Sequence, residues 1–384
     1  MCEAARSATG AQVIVLPELA ITSYTCEDLF WQDALLRAAE EGLARFAELT
    51  ADVDALVFVG VPVRVASKLY NCAAVLCAGE LLALVPKRNI PTYGEFYEGR
   101  RFSAGPEDVT LVSFAGYGEV PFGSSQLFEC DTVPGLIVAA EICEDLWVPN
   151  PPSTAAALAG ATLVVNLSAS NELVGKADYR RGLVSSTSAR LVCAYAYASA
   201  GWGESTQDVV YGGHCLVAEN GRVLGEAAPL ADEPLVQAGD KPASTGVTTV
   251  IDLGLLAHDR LRMSTFDVDP AAAGFVVSPF SLCVRQTPWR SLRGPAPVRA
   301  GSPRGRAERC ESILPFRRTA WPSAWRTRTP SAPSLACRAA STRRWRCSSA
   351  RAPLTCWGSS APAFSPSRCP ALVPRAAPTA TRRP

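Results

Sequence analysis

Residues 135–147 read GLIVAAEICEDLW, a largely apolar run that ends in a cysteine and then turns acidic. Apolar runs of roughly four to eight residues favour strands that are covered on both faces, and acidic residues favour the first turn of a helix. The same order recurs in QVIVLPEL (12–19) and LLALVPKR (81–88), where an apolar run meets a charged residue. Short buried strands that alternate with helices predict an α/β fold.

The rest of the first 220 residues continues this pattern. Further strands are predicted at 55–63, 71–79, 161–169, 192–199 and 213–221, and helices at 27–49, 151–160 and 176–191. The sequence AENGR at 218–222 predicts a type I′ hairpin turn, because Asn-Gly supplies two residues with positive φ. Met1 lies in a predicted helix that leads directly into 12–19, so the first strand expected of an α/β sheet is absent.

Charge divides the chain into two parts. Residues 1–284 carry 17 Lys and Arg against 34 Asp and Glu, whereas residues 285–384 carry 20 Arg, no Lys and two acidic residues. No apolar run approaches the roughly 20 residues of a membrane-spanning helix, and no signal peptide is recognisable at the N-terminus. We therefore expect a cytoplasmic protein that does not enter a membrane. The 14 cysteines show no paired metal-ligand spacing, so no metal site is predicted.

Three residues with reactive or ionisable side chains follow predicted apolar strands: Glu18, Lys87 and Cys143. Strand ends are where α/β folds place their reactive groups. A cysteine nucleophile needs a base, but neither histidine, His214 or His258, lies in a strand-end motif, so a carboxylate base is predicted. Taken singly, each residue also fits a structural interpretation: a buried thiol, a helix cap or a surface lysine.

Longer strings around these residues resemble a known family. They are LPELAITSYTCEDLF (16–30), PKRNIPTYGEFYEGRRFSAG (86–105) and AAEICEDLWVPNPPS (139–153). Together they resemble the nitrilase, or carbon-nitrogen hydrolase, superfamily, and within it the glutamine amidase domains of glutamine-dependent NAD synthetases. The resemblance covers roughly residues 1–275.

The resemblance implies a role for each matching position. Cys143 would form a glutamyl thioester, Glu18 would be the general base, and Lys87 would stabilise the oxyanion. Glu95 would be the additional glutamate that many members place beside the triad. Positions implied to bind the glutamine are Tyr24, Tyr93, Glu144, Ser170 and Lys176. No cofactor is expected for this amidase step.

The resemblance also implies an αββα four-layer sandwich, here without its first strand, followed by a non-globular tail. Residues 1–275 would form the amidase domain, 276–314 a linker, and 315–384 a disordered or out-of-frame tail in place of an ATP-dependent synthetase domain. That domain would use ATP and magnesium to amidate deamido-NAD with the released ammonia. Family members tend to form homo-oligomers.

One stretch of the tail suggests a shifted reading frame. CRAASTRRWRC (337–347) is compatible with codons that, shifted by one base, read VSGGLDSTLAL, which resembles the ATP loop of the synthetase domain. The chain contains no SGGLDS string as it stands. Three alternatives are open: a free-standing amidase for another amide, an inactive product of a frameshifted gene, and a basic nucleic-acid-binding arm. The leading expectation is an amidase with no nucleic-acid partner.

Overall fold

A computed structural model of the protein describes residues 1–114, 116–201, 203–205, 208–229, 245–268, 274–283 and 351–358. All of them belong to a unit made of Met1–Val284 and Ser348–Pro384. Residues 285–347 lie outside the described residues, as does most of the predicted tail.

The first sheet contains eight strands in the described part of the chain, in the order β13, β15, β1, β2, β3, β4, β6, β5. Their bounds are β1 Val13–Val15, β2 Leu56–Val65, β3 Lys68–Cys77, β4 Glu80–Pro86, β5 Thr110–Phe114, β6 Gly118–Phe122, β13 Thr245–Asp252 and β15 Arg351–Gly358. β1 and β2 are parallel, and β2, β3 and β4 form an antiparallel meander.

The second sheet has seven described strands in the order β12, β11, β10, β9, β8, β7, β14. Their bounds are β7 Gln126–Cys130, β8 Ile137–Ile142, β9 Leu163–Ser168, β10 Ala194–Ser199, β11 Cys215–Glu219, β12 Arg222–Ala227 and β14 Val276–Phe280. The central strands β8, β9 and β10 are parallel, so their carboxyl ends lie at one edge of the sheet.

Helices cover the outer face of each sheet. They are α1 Cys2–Ser7, α2 Asp33–Leu49, α3 Pro152–Leu158 and α4 Lys176–Leu191. A further helix, α5 Leu253–Arg262, instead contributes Leu253 and Leu256 to the core between the sheets. Alternation along β1 shows the layering: Val13 and Val15 join the core between the sheets, whereas Ile14 packs with Leu43 and Phe46 of α2. Val184 of α4 packs on the outer face of the second sheet. The predicted four-layer αββα sandwich is thus confirmed.

As expected, no strand precedes α1 among the described residues, and the position beside β1 is occupied by β15 instead. β15 lies between β1 and β13, parallel to the former and antiparallel to the latter. Its Leu354 and Cys356 are fully buried in the core between the sheets. An apolar segment that satisfies backbone hydrogen bonds on both sides is stable in this position.

Two segments outside the predicted amidase domain of residues 1–275 form strands of these sheets. β14, at 276–280, was expected in the linker but pairs with β7 in the second sheet. Arg351–Gly358 was expected in the non-globular tail but forms β15. The remainder of the linker and tail, 284–350 and 359–384, lies outside the described residues, so its state stays a prediction.

The predicted helix at 27–49 is two helices. A 3₁₀ helix covers Tyr24–Trp31, and α2 begins at Asp33 after Gln32 in extended conformation. The break has a tertiary cause: buried Phe30 packs edge-on against Phe102, 5.0 Å between ring centroids, and Glu27 takes a non-helical φ of 51°. The predicted hairpin at 218–222 is confirmed, with positive φ at Asn220 and Gly221.

In the described ranges, no helix is both long enough and apolar enough to cross a membrane.

Candidate active site

Glu18 lies in the loop that follows β1, and its position depends on close backbone packing. The loop passes directly over Gly60 of β2, where a Cβ atom would lie 2.1 Å from the Leu19 nitrogen. Only glycine allows this approach. Gly60 thereby lets the loop turn Glu18 inward, and the carboxylate is 1% exposed.

Lys87 follows β4 and joins two carboxylates. Its Nζ donates to Glu18 Oε1 at 2.7 Å and to Glu98 Oε1 at 2.6 Å. Asn71 Nδ2 also donates to Glu18 Oε1, at 2.6 Å. The other oxygens, Oε2 of Glu18 and Oε2 of Glu98, have no hydrogen-bond partner among the described residues. Glu18 therefore retains an oxygen that can accept a proton.

Burial and neighbouring charges set the protonation of this group. Burial raises the pKa of Glu18 to about 7, Lys87 opposes that rise, and the Glu98 charge adds to it. Burial by itself would lower the pKa of Lys87, but the two carboxylates outweigh burial and raise the pKa well above its usual value. Lys87 is thus a permanent cation, while Glu18 can exchange a proton near neutral pH.

Cys143 begins a short 3₁₀ helix directly after β8, with an unusual backbone conformation. Its φ is +43°, a left-handed value that costs a non-glycine residue free energy. Hydrogen bonds compensate: the Cys143 N–H donates to Asn166 Oδ1 at 3.1 Å, and the Ile142 N–H donates to Asp145 Oδ2 at 3.0 Å. The sharp turn fixes the thiol at the carboxyl end of the strand.

The thiol of Cys143 is held in its neutral form. Burial raises its pKa to about 12; the Glu18 charge adds to the rise, and Lys87 opposes it. The charges of Glu18 and Lys87, the two residues predicted as partners of Cys143, thus act on the pKa of its thiol. A neutral thiol beside a carboxylate with a free oxygen suits proton transfer during attack.

Asp145 connects two parts of the site and was predicted only as part of an acidic helix start. Besides the Ile142 N–H, it accepts from the backbone N–H of Asn89 at 2.8 Å and from the Asn89 side chain at 2.8 Å. It is 1% exposed. Asp145 therefore ties the segment after Lys87 to the turn that carries Cys143.

Behind Cys143 lies a second buried network that sequence reasoning missed. Asn166 Nδ2 donates to the Tyr195 hydroxyl at 3.1 Å, and that hydroxyl donates to Glu141. Burial raises the pKa of Glu141 to about 7. The available signal was an asparagine and a glutamate within otherwise apolar strands, VVNLS and VAAEI. Such buried polar groups are retained where they position neighbours.

Glu98, rather than Glu95, occupies the place predicted for the additional glutamate. Glu98 opens the 3₁₀ turn Glu98–Arg100, is 4% exposed and contacts Lys87. Glu95 instead accepts a hydrogen bond from Asn171 Nδ2. The two glutamates lie three residues apart in one string, and the turn between them determines which one faces the triad.

The predicted tyrosines are both bound to carboxylates. The Tyr24 hydroxyl donates to Glu98 Oε1 at 2.8 Å, so Tyr24 belongs to the buried triad cluster. The Tyr93 hydroxyl donates to Glu144 Oε1 at 2.8 Å, and its ring is 60% exposed. Tyr93 is therefore a surface residue and does not belong to the core.

Ser170 and Lys176 are linked to each other through Arg180 and Asn171. Ser170 is 2% exposed and its hydroxyl accepts a hydrogen bond from Arg180 at 3.1 Å. Lys176 Nζ donates to Asn171 Oδ1 and lies 5.3 Å from the centroid of the Trp147 ring. Burial lowers the pKa of Lys176.

A cavity of about 350 Å³ lies beside this group. It is lined by Glu95, Asn171, Glu172, Leu173, Asp208, Val209 and Val210. A smaller cavity of about 40 Å³ reaches Tyr24 and Glu98. Within the part of the chain that the structure describes, no cluster of three or more His, Cys, Asp or Glu side chains is arranged to hold a metal ion.

The fold is an αββα sandwich, and a Cys, a Glu and a Lys follow three of its strands. The sequence matches the carbon-nitrogen hydrolase family over residues 1–243. The chain therefore belongs to that family, whose members are hydrolases acting on carbon-nitrogen bonds, and the resemblance inferred from its motifs is confirmed.

The chain is similar to several glutamine-dependent NAD(+) synthetases. The chain is 41% identical over 258 residues to a glutamine-dependent NAD(+) synthetase of Mycobacterium bovis, covering 67% of this chain and 36% of that protein. It is 38% identical over 273 residues to the Mycobacterium leprae enzyme of the same name, covering 71% and 38%. The crystal structure of the Cytophaga hutchinsonii enzyme is similar with a TM-score of 0.52 and 32% identity, covering 60% and 36%. The chain thus spans little more than a third of these relatives.

Proposed function

We propose that the protein hydrolyses the side-chain amide of glutamine, with Cys143 as nucleophile, Glu18 as general base and Lys87 as oxyanion stabiliser. One observation carries the proposal: Lys87 Nζ and Glu18 Oε1 form an ion pair at 2.7 Å with both side chains fully buried. Both charges also act on the pKa of the Cys143 thiol. Buried charged pairs are costly, so this one favours a catalytic role over a stabilising one.

The first half-reaction follows from the protonation states. Cys143 Sγ attacks the amide carbon while Glu18 takes the thiol proton, and the Lys87 ammonium stabilises the oxyanion that forms. The tetrahedral intermediate then collapses, and the carbon-nitrogen bond breaks as Glu18 returns the proton to the departing nitrogen. Ammonia leaves and a γ-glutamyl thioester remains on Cys143.

The second half-reaction repeats these roles with water. Glu18 takes a proton from the water that attacks the thioester carbon, and Lys87 again stabilises the oxyanion. The carbon-sulfur bond breaks, the proton returns to sulfur, and glutamate is released. Glutamine and water are thus converted to glutamate and ammonia.

Polar groups around the triad support glutamine as the substrate. Glu144, held by the Tyr93 hydroxyl, is an anion that suits the substrate ammonium, whereas Ser170 and Lys176 supply a donor and a cation for its carboxylate. The relatives are named glutamine-dependent enzymes. We assign Tyr24 to the same pocket through its bond to Glu98.

The larger role is proposed from the relatives. The ammonia would serve the ATP-dependent amidation of deamido-NAD in a synthetase domain, which would bind ATP and magnesium. The amidase step uses no cofactor in this scheme. We further propose a cytoplasmic homo-oligomer, without nucleic-acid or membrane partners.

Replacing the nucleophile tests the amidase function. Cys143→Ala is expected to reduce release of ammonia from glutamine at least 10³-fold, because no thioester can form. Cys77→Ala, a change of the same type at a buried cysteine of β3, is expected to keep the activity and to lower stability by about 1 kcal/mol. The assay is ammonia release, with thermal unfolding as a check of folding.

Two outcomes would contradict the proposal. Retained turnover in Cys143→Ala would exclude a thioester. A wild-type enzyme that hydrolyses butyramide but not glutamine would identify a free-standing amidase for another amide.

A further inference from the structure

Arg180 lies at the centre of a buried polar cluster that the triad chemistry does not use. It is in α4, with a side chain that is 0% exposed. Its Nη1 donates to Glu172 Oε1 at 2.9 Å and to His214 Nδ1 at 2.8 Å. Its Nη2 donates to Ser170 Oγ at 3.1 Å and to the Asn171 carbonyl at 3.2 Å. One guanidinium therefore holds three consecutive residues.

His214 anchors this guanidinium from behind. A guanidinium only donates, so His214 Nδ1 must accept, and the ring carries its proton on Nε2. That Nε2 donates to Glu226 Oε1 at 2.8 Å. Burial and the adjacent Arg180 charge lower the pKa of His214 to about 4, in agreement with a neutral ring. Glu226 is in turn held by Arg181.

The contacts of Arg180 determine what Ser170 can do. The Ser170 hydroxyl accepts from Arg180, so it must give its own proton to a different acceptor. A substrate carboxylate is an acceptor of this kind, in competition with the Tyr197 hydroxyl. Burial raises the pKa of Tyr197 to about 12, and a hydrogen bond with Ser170 opposes that rise. The next residue, Asn171, binds Lys176 Nζ through its side chain, and its carbonyl is held by Arg180. Arg180 thus orients both groups assigned to the substrate carboxylate.

We propose that Arg180 is a positioning residue that sets the segment 170–172 for the α-carboxylate of the substrate. It thereby determines the preference for glutamine over amides that lack a carboxylate. This inference rests on the proposed glutaminase function. Arg180 does not contact the reacting atoms; it acts through Ser170 and through Asn171 on Lys176.

The test compares two substrates in three variants. Butyramide has the amide end of glutamine without its carboxylate or ammonium. For Arg180→Met, the KM for glutamine is expected to rise about tenfold or more, with kcat changed less than about threefold and butyramide kcat/KM unchanged. Arg180→Lys keeps the charge and should restore part of the loss. Arg190→Met, the same change at an exposed position of α4, should match the wild type.

Each contrary result has a distinct meaning. The inference is wrong if the wild type hydrolyses glutamine and the folded Arg180 variants lose activity equally on glutamine and butyramide. It is also wrong if these variants keep the wild-type preference for glutamine over butyramide. In either case Arg180 has only a structural role. If the wild type does not hydrolyse glutamine, the proposed function and the inference both fail. If Arg180→Met does not fold by circular dichroism, the substrate preference of Arg180→Lys decides.

Calorimetric binding of glutamine measures the same effect without turnover. The Cys143→Ala protein is compared with the double variant that also carries Arg180→Lys. The double variant is expected to bind glutamine more weakly, and equal binding would overturn the inference.

Discussion

The carboxylate of Glu18 illustrates how one residue acquires a function from its surroundings. Its Oε1 is occupied by Lys87 and Asn71, while Oε2 has no partner among the described residues. Burial raises its pKa to about 7, against a usual value near 4.5. A carboxylate with this pKa transfers protons near neutral pH, which an exposed one does poorly.

The pH dependence of activity follows from this pKa. Glu18 acts as a base only when deprotonated, so we expect kcat/KM for glutamine to rise with pH through about 7. Because the charge of Glu98 raises the pKa of Glu18, Glu98→Gln should shift this acid limb to lower pH. We also expect kcat at pH 8 to fall about tenfold or more, because Lys87 loses one of its two carboxylate partners.

The measurement is a pH profile of ammonia release between pH 5 and 9. Glu119→Gln, the same change at an exposed position of β6, serves as the control and should leave the profile unchanged. An acid limb that moves to higher pH in Glu98→Gln, or stays in place, would show that Glu98 does not act on the general base.

At the scale of elements, strand ends and tight packing between them create the site. Glu18 follows β1, Lys87 follows β4 and Cys143 follows β8, so two sheets contribute to one cluster. The loop after β1 can reach that cluster only because Gly60 of β2 has no side chain.

Gly60→Ala should therefore impair both stability and catalysis. An added Cβ would lie 2.1 Å from the Leu19 nitrogen, so the loop must move. We expect a loss of about 2 kcal/mol or more in the free energy of unfolding and at least a tenfold loss in kcat. Denaturant unfolding and glutamine hydrolysis measure the two effects. Gly182→Ala in α4 is the control: its added Cβ atom would have no neighbouring atom within 4 Å, so the change should be neutral or stabilising. If Gly60→Ala had the stability and activity of the wild type, the packing argument would be refuted.

β15 provides a second test at this scale. Leu354 is fully buried between β1 and β13, so Leu354→Asp would bury an unpaired charge and should cost about 3 kcal/mol or more. Leu111→Asp makes the same change where the side chain is 61% exposed and should cost less than about 0.5 kcal/mol. Thermal unfolding compares them. Equal melting temperatures would mean that β15 does not contribute to the core.

For the whole molecule, the described unit carries the candidate active site, and the motif expected of the synthetase domain is a separate question. The sequence of 384 residues contains no SGGLDS string. Backbone amides of loops with such motifs hold phosphate groups in nucleotide-binding proteins.

We therefore expect this chain to release ammonia from glutamine without ATP and to form no NAD when supplied with deamido-NAD, ATP and magnesium. Chromatography of the nucleotides and an ammonia assay measure both in one reaction. The Cys143→Ala variant controls for ammonia from other sources. Formation of NAD that depends on glutamine and ATP would contradict this expectation.

The sequence alone determined the α/β layering and brought Glu18, Lys87 and Cys143 to notice. Both are local properties: apolar runs predict buried strands, and a strand end fixes where the next residue lies. The family match over residues 1–243 covers the positions of all three residues.

Only the tertiary structure decided which glutamate joins Lys87, since Glu95 and Glu98 share one string and differ in the backbone turn between them. It also decided that Arg351–Gly358 lies beside β1 and that Arg180 joins residues 170–172. Such contacts join residues that are far apart in the sequence, or distinguish between residues with the same local sequence context. Which contacts form depends on how apolar groups are buried and how hydrogen bonds are satisfied in the folded core, and a local sequence pattern does not contain that information.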